Sequence, residues 1–191
     1  MISFLSLEDI NRKYSRELQE AATRIIDSGW YINGDELAKF EHEYAEFCGS
    51  RYCIGVANGL DALTLTLRAW KEMGKISEGD EIIVPANTYI ASLLAITENK
   101  LKPVLIEPDC QTYNISAKNI WRALSCKTKV ILPVHLYGQI APMDEICLFA
   151  KEHDLLILDD AAQAHGTELN GIIVGAWGDA TGFSFYPGKN L

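Results

Sequence analysis

Lys189 follows Pro187-Gly188 at the end of the alternating run Phe183-Ser184-Phe185-Tyr186, and a lysine amine placed there could attack a carbonyl. Asp159 and Asp160 follow the apolar run Leu155-Leu156-Ile157-Leu158 and precede Ala161-Ala162-Gln163-Ala164-His165-Gly166. Two carboxylates at the end of a buried strand are costly unless something positive faces at least one of them. Strand neighbours point to opposite faces, so the two aspartates cannot address the same ligand. One can face a crevice while the other caps the next turn, and a pair of turn and cap acids is the competing reading. Asn58-Gly59 opens a helical pattern of Leu60, Leu63, Leu67 and Trp70. A glycine there lets backbone approach a ligand, and a helix start offers N–H groups and roughly 0.3–2 kcal/mol of dipole attraction to a phosphate. Asn-Gly is equally a good turn dipeptide. Tyr89, in Pro85-Ala86-Asn87-Thr88-Tyr89, could stack on a flat heteroaromatic ring or serve as half-buried packing. Taken singly, Lys189 reads as a surface lysine, Ser184 as an ordinary strand serine and His165 as a satisfied structural histidine.

The elements that must position these residues change character along the chain. Tyr14, Leu18, Ala21 or Ala22, and Ile25 recur at helical spacing before Gly29, and Leu37, Phe40, Tyr44 and Phe47 share the face of a second helix. From Cys53 onward, apolar runs of strand length fall at 53–56, 81–84, 103–106, 129–135, 155–159 and 181–186. Helical stretches at about 59–71, 88–99, 116–124 and 142–153 separate most of them. Runs apolar on both faces predict an α/β fold, a mostly parallel sheet covered by helices on both faces. Ligands of such sheets bind beyond the carboxyl ends of the strands, which is where all these candidates fall. No repeat, low-complexity tract or linker divides the chain.

Considered together, the candidates match the needs of pyridoxal phosphate (PLP). Its phosphate wants a helix start and hydroxyls, its ring a stacking face, its pyridine nitrogen a carboxylate and its aldehyde a lysine. The bulk properties agree with a globular protein: 48% hydrophobic, 23% charged, and no apolar run of the roughly 18–20 residues a membrane span needs. A net charge of −9 without a basic run argues against nucleic acid or an anionic membrane as partner. The N-terminus lacks a basic stretch ahead of an apolar one, so no secretory signal is read there. Five cysteines without Cys-x-x-Cys or a zinc-spaced histidine predict thiols in a reducing cytoplasm, with neither a disulfide framework nor a metal site.

The segments 55–63 (GVANGLDAL), 83–89 (IVPANTY), 133–139 (PVHLYGQ), 158–166 (LDDAAQAHG) and 182–191 (GFSFYPGKNL) resemble the DegT/DnrJ/StrS family of nucleotide-sugar aminotransferases. The resemblance covers essentially the whole chain. It implies the large domain of a fold-type-I PLP transferase, with Lys189 forming the Schiff base and Asp160 facing the pyridine nitrogen. It further implies Gln163 near the ring's 3-hydroxyl, Ser184, Asn58 and Gly59 on the phosphate, and Tyr89 stacked on the ring. The implied reaction carries an amino group from glutamate to a keto group of a nucleotide-linked deoxysugar. The wording of the motifs is most similar to members that aminate dTDP-3-keto-6-deoxyhexoses. Members with a histidine at the lysine position are sugar dehydratases, an alternative that Lys189 disfavours. Family members are about twice as long and homodimeric, with a small C-terminal domain. The expectation is therefore that residues 1–191 hold an N-terminal segment and most of the large domain of a longer parent, the alternative being an inactive truncated remnant.

Overall fold

Hydrophobic runs that alternate between two burial partners force a sheet to be covered on both sides, and this chain builds such a sheet. The computed structural model describes residues 5–189. The described residues form two compact units, one from 5–55 with Tyr186–Gly188 and one from Val56–Phe185 with Lys189. The first unit holds three helices: α1 (Leu7–Lys13), α2 (Ser15–Ser28) and α3 (Asp35–Cys48). Gly29 and Gly49 end α2 and α3 in the left-handed conformation, with φ of 64° and 68°, so both predicted helices stop at glycine.

The second unit runs α4 (Gly59–Glu72), β1 (Glu81–Pro85), α5 (Ile90–Glu98), β2 (Lys102–Ile106), α6 (Ala117–Ala123) and β3 (Thr128–Ile131). It continues with α7 (Met143–Glu152), β4 (Leu156–Asp160), the short strands β5 (Glu168–Leu169) and β6 (Ile172–Ile173), and β7 (Ala180–Gly182). Five strands pair in the order β2-β1-β3-β4-β7, all parallel. Ile82, Val84, Val130, Leu132 and Leu158 pack with Leu63, Leu67 and Trp70 of α4 and Ala95 and Ile96 of α5. The intervening Ile83, Ile131 and Ile157 pack with Ile120 of α6 and Met143, Ile146 and Phe149 of α7. The α/β expectation with helices on both faces therefore holds. The chain leaves β1 toward β2 and then crosses back to β3 on the other side. That reversal opens a crevice at the carboxyl ends of β1 and β3.

Three strand expectations are corrected. Residues 53–56 form no strand. The Gly55 N–H donates instead to Glu41 Oε1 at 2.6 Å, so a side chain takes the donor that a ladder would use. The run 129–135 is strand only to Ile131, with a single bridge between Val134 and Asp160 beyond it. The run 181–186 narrows to Ala180–Gly182. The β5–β6 hairpin was not anticipated; two-residue strands carry no usable period. Nor does composition mark the boundary between the two units at Gly55.

Candidate functional site

Asp160 ends β4, with Val134 bridged on one side and Gly182 of β7 paired on the other. Its backbone is held by both neighbours: Asp160 N–H donates to Pro133 O at 2.9 Å and His135 N–H to Asp160 O at 3.0 Å. The side chain is buried and accepts from Ser92 Oγ at 2.7 Å and from Ala162 N–H at 3.2 Å. Burial pushes this carboxyl above the ordinary aspartate value, while Ser92, Ala162 and the positive charge of Lys189 pull it back down. Lys189 is half-buried and its charge also bears on His165. Asp160 and Lys189 are thus brought within each other's field.

Asp159 points the other way, as strand geometry requires. Its Oδ2 accepts from Gly178 N–H and Thr181 Oγ1, both at 3.2 Å, and Oδ1 has no partner among the described residues. Complete burial raises this carboxyl to about 7, and Asp179 and Asp160 add to the rise.

The helix start behaves as its sequence suggested. Asn58 caps α4, Oδ1 accepting from Asp61 N–H at 2.9 Å and Nδ2 donating to Asp61 Oδ2 at 3.2 Å. The side chain of Asn58 is therefore committed to the cap, and the first backbone N–H groups of α4 are what the helix start has to offer. Gly59 lies against Ser184: a Cβ added there would stand 2.8 Å from Ser184 Cβ and 3.3 Å from Ser184 Oγ. Only a residue without a side chain lets the helix start and this serine meet. His165 Nε2–H donates to Ser184 O at 3.0 Å, and its ring packs 5.1 Å from Phe183 and 4.9 Å from Phe185. His165 is a satisfied structural histidine that holds the Ser184 segment.

Gln163 and Tyr89 lie elsewhere on the same rim. Gln163 Oε1 accepts from Tyr137 N–H at 2.7 Å. Tyr89 precedes α5 and is 73% exposed, so its ring is not used for core packing. Sequence reasoning missed Ser92. It is wholly buried on α5, bonded to Asp160 on one side and to Thr88 Oγ1 at 2.7 Å on the other. A polar residue on an otherwise apolar helix, Ile90-Ala91-Ser92-Leu93-Leu94, was the available signal. His135 is also buried. Ala141 N–H donates to its Nδ1 at 3.1 Å, and burial lowers the ring to about 4, so it is neutral. Among the described residues no cluster of His, Cys, Asp and Glu could hold a metal ion, and no helix is long and apolar enough to cross a membrane.

Comparison with known proteins extends this picture. Residues 12–191 match the model of the DegT/DnrJ/EryC1/StrS aminotransferase family. A dTDP-3-amino-3,6-dideoxy-alpha-D-galactopyranose transaminase of Aneurinibacillus thermoaerophilus is 56% identical over 97% of this chain and 50% of its own length. The crystal structure of Streptomyces venezuelae DesV in complex with a ketimine intermediate superposes with a TM-score of 0.93 at 42% identity. That likeness covers 100% of this chain and 50% of DesV. Bacillus subtilis NtdA, solved with bound cofactor PMP, gives a TM-score of 0.90 at 30% identity, covering 100% of this chain and 42% of NtdA. The chain spans about half the length of the curated relatives it matches. With its motifs, its sheet and its match over residues 12–191, the chain belongs to the DegT/DnrJ/EryC1/StrS aminotransferase family.

Proposed function

We propose that the protein carrying this chain is a PLP-dependent aminotransferase. It moves the amino group of glutamate to a keto group of a nucleotide-linked deoxysugar, a dTDP-3-keto-6-deoxyhexose being the favoured class. The single observation that carries the reading is the buried carboxylate of Asp160 within the field of Lys189, on the sheet edge where Gly59 meets Ser184. The 56% identity to the A. thermoaerophilus transaminase supports the substrate class, and the PMP of NtdA supports the cofactor.

The residues present fit PLP. A carboxylate buried this deeply favours a cationic neighbour, and a protonated pyridine nitrogen is one. The closeness of Gly59 to Ser184 puts helix-start N–H groups beside a hydroxyl, the donor set a phosphate requires. When bound, the cofactor supplies an electrophilic aldehyde and an electron sink. Asp160, whose carboxyl accepts from Ser92 Oγ and Ala162 N–H, would face the ring nitrogen and favour its protonated form. Lys189 Nζ would be the amine that holds the aldehyde and the base that moves a proton between the substrate carbon and the cofactor. Ser184 and the start of α4 would anchor the phosphate, Tyr89 would cover the ring, and Gln163 would approach the 3-hydroxyl. Residues 1–191 form the N-terminal segment and most of the large domain of this enzyme, a homodimer at full length. Five free cysteines fit a cytoplasmic setting.

The test is to add glutamate to the PLP-loaded full-length protein and follow the visible spectrum. Conversion of the cofactor to its amine form is expected. An unchanged spectrum contradicts aminotransfer from glutamate.

A further inference from the structure

Thr88, Ser92 and Asp160 form a line from the rim into the sheet. Thr88 stands half-buried in the turn between β1 and α5, Ser92 is wholly buried on the first turn of α5, and Asp160 is buried at the end of β4. Both links measure 2.7 Å, Thr88 Oγ1 to Ser92 Oγ and Ser92 Oγ to Asp160 Oδ2. Distance alone leaves the direction of the first link open. Chemistry closes it. An ionised carboxylate only accepts, so the one hydroxyl proton of Ser92 goes to Oδ2. Ser92 Oγ must then accept, and the proton between the two hydroxyls belongs to Thr88. Among the described residues the Thr88 hydroxyl has no partner besides Ser92, so it does not cap α5.

Hydrogen bonds that run one way through a low-dielectric interior polarise one another, each strengthening the next by roughly 10–30%. A proton on Oδ2 would turn both hydroxyls round, because Ser92 Oγ would then accept from Asp160 and donate to Thr88. Bonds to a charged group are about twice as strong as neutral ones, so the chain as a whole favours the ionised carboxyl. Around Asp160, Lys189 favours the same form, and Asp159 bears on it from the opposite face of β4. His135 meets β4 through its backbone and its ring is neutral, His165 is committed to Ser184 O, and Glu98 at the far end of α5 engages Thr64.

We propose that Thr88 is a positioning residue of the cofactor site, acting through Ser92 to hold Asp160 as the anion that a cationic ring nitrogen requires. The proposal rests on the cofactor reading only for that nitrogen. The effect on Asp160 belongs to the protein alone.

Carboxyl 13C NMR of the full-length protein freed of cofactor reads the pH midpoint of Asp160, assigned by its loss in Asp160→Asn. Thr88→Val, which keeps the shape and deletes the hydroxyl, should raise that midpoint by roughly half a pH unit. Thr88→Ala should do the same, so the result does not hang on how valine packs, and Thr88→Ser should restore the wild-type midpoint. Ser92→Ala should raise the midpoint further and abolish any effect of adding Thr88→Val, because the chain is then already cut. PLP titration over a range of pH gives the second readout. Below the midpoint Thr88→Val should bind PLP roughly threefold more weakly than wild type, and above it the two should bind alike. An unmoved midpoint in Thr88→Val, or an equal Thr88→Val effect beside Ser92→Ala, overturns the proposal. So does an affinity ratio that is the same at every pH, which is what a purely structural role would give. If the midpoints move as stated while wild type develops no visible band with PLP, the cofactor reading fails and the hydroxyl chain stands.

Discussion

Asp160 and Asp159 are chain neighbours with opposite environments, and single hydrogen bonds decide what each can do. Ser92 donates the shorter of the two bonds to Asp160, 2.7 Å against 3.2 Å from Ala162. Ser92→Ala should cost about 1.5–3 kcal/mol of stability, since it removes a buried bond to a charged group. It should also weaken PLP binding, because Asp160 loses a hydrogen bond that opposes the upward push of burial on its carboxyl; urea unfolding and a PLP titration measure the two effects. Asp159 gives a pH signature of definite sign. Its folded-state value, about 7, lies above the unfolded value of 3.8, so the native state binds the extra proton between them. The stability contribution is full below 3.8 and is lost as pH rises toward 7, at up to about 1.4 kcal/mol per pH unit. His135, held near 4, works in the opposite sense over part of this window, so the useful quantity is a difference. The stability of Asp159→Asn minus that of wild type should grow from pH 4 to 7 in denaturant titrations. A difference that stays flat counts against the raised value of this buried carboxyl.

Elements place these residues, and the close approach of α4 to the Ser184 segment is the tightest such placement. Gly59→Ala would ordinarily favour a helix by about 1 kcal/mol. Here the new Cβ would stand 2.8 Å from Ser184 Cβ, so the expected sign reverses. Gly59→Ala should lower the melting temperature and weaken PLP binding, and a raised melting temperature with unchanged binding would contradict this geometry. Much of this was legible in the sequence. Strand runs apolar on both faces gave the parallel sheet, and Asn58-Gly59 ahead of Leu60, Leu63, Leu67 and Trp70 gave the start of α4, though not the Asn58 cap. Asp160 and Lys189 stood out only in company: singly each has a bland reading, a turn acid and a surface lysine, and it is their fall with the other candidates at strand exits of one sheet that singles them out. Ser92 was not legible, since a serine in an apolar helix looks tolerated until its partner, distant in sequence, is known. Residues 53–56 misled because alternation says nothing of which group will take the backbone donors; Glu41 takes one. The bond between Gln163 and Tyr137 joins residues 26 apart, beyond the reach of any local pattern.

At the scale of the molecule, the sheet order β2-β1-β3-β4-β7 puts the exits of β1, β3, β4 and β7 along one edge. Ser92 reaches that edge from α5, Gln163 from the turn after β4, and Ser184 from the segment after β7. A ligand bound there touches elements from across the second unit, so binding should stabilise the whole of it. PLP at about a hundred times its Kd should add roughly 2.7 kcal/mol to unfolding, seen as a concentration-dependent rise in melting temperature. The central claim is that Lys189 and Asp160 form a PLP site, and it is tested most directly by the visible absorption of the full-length protein titrated with PLP. The account predicts a new band in wild type that is lost in Lys189→Ala. A well-folded wild type that develops no band, or a Lys189→Ala variant that keeps it, would contradict the account.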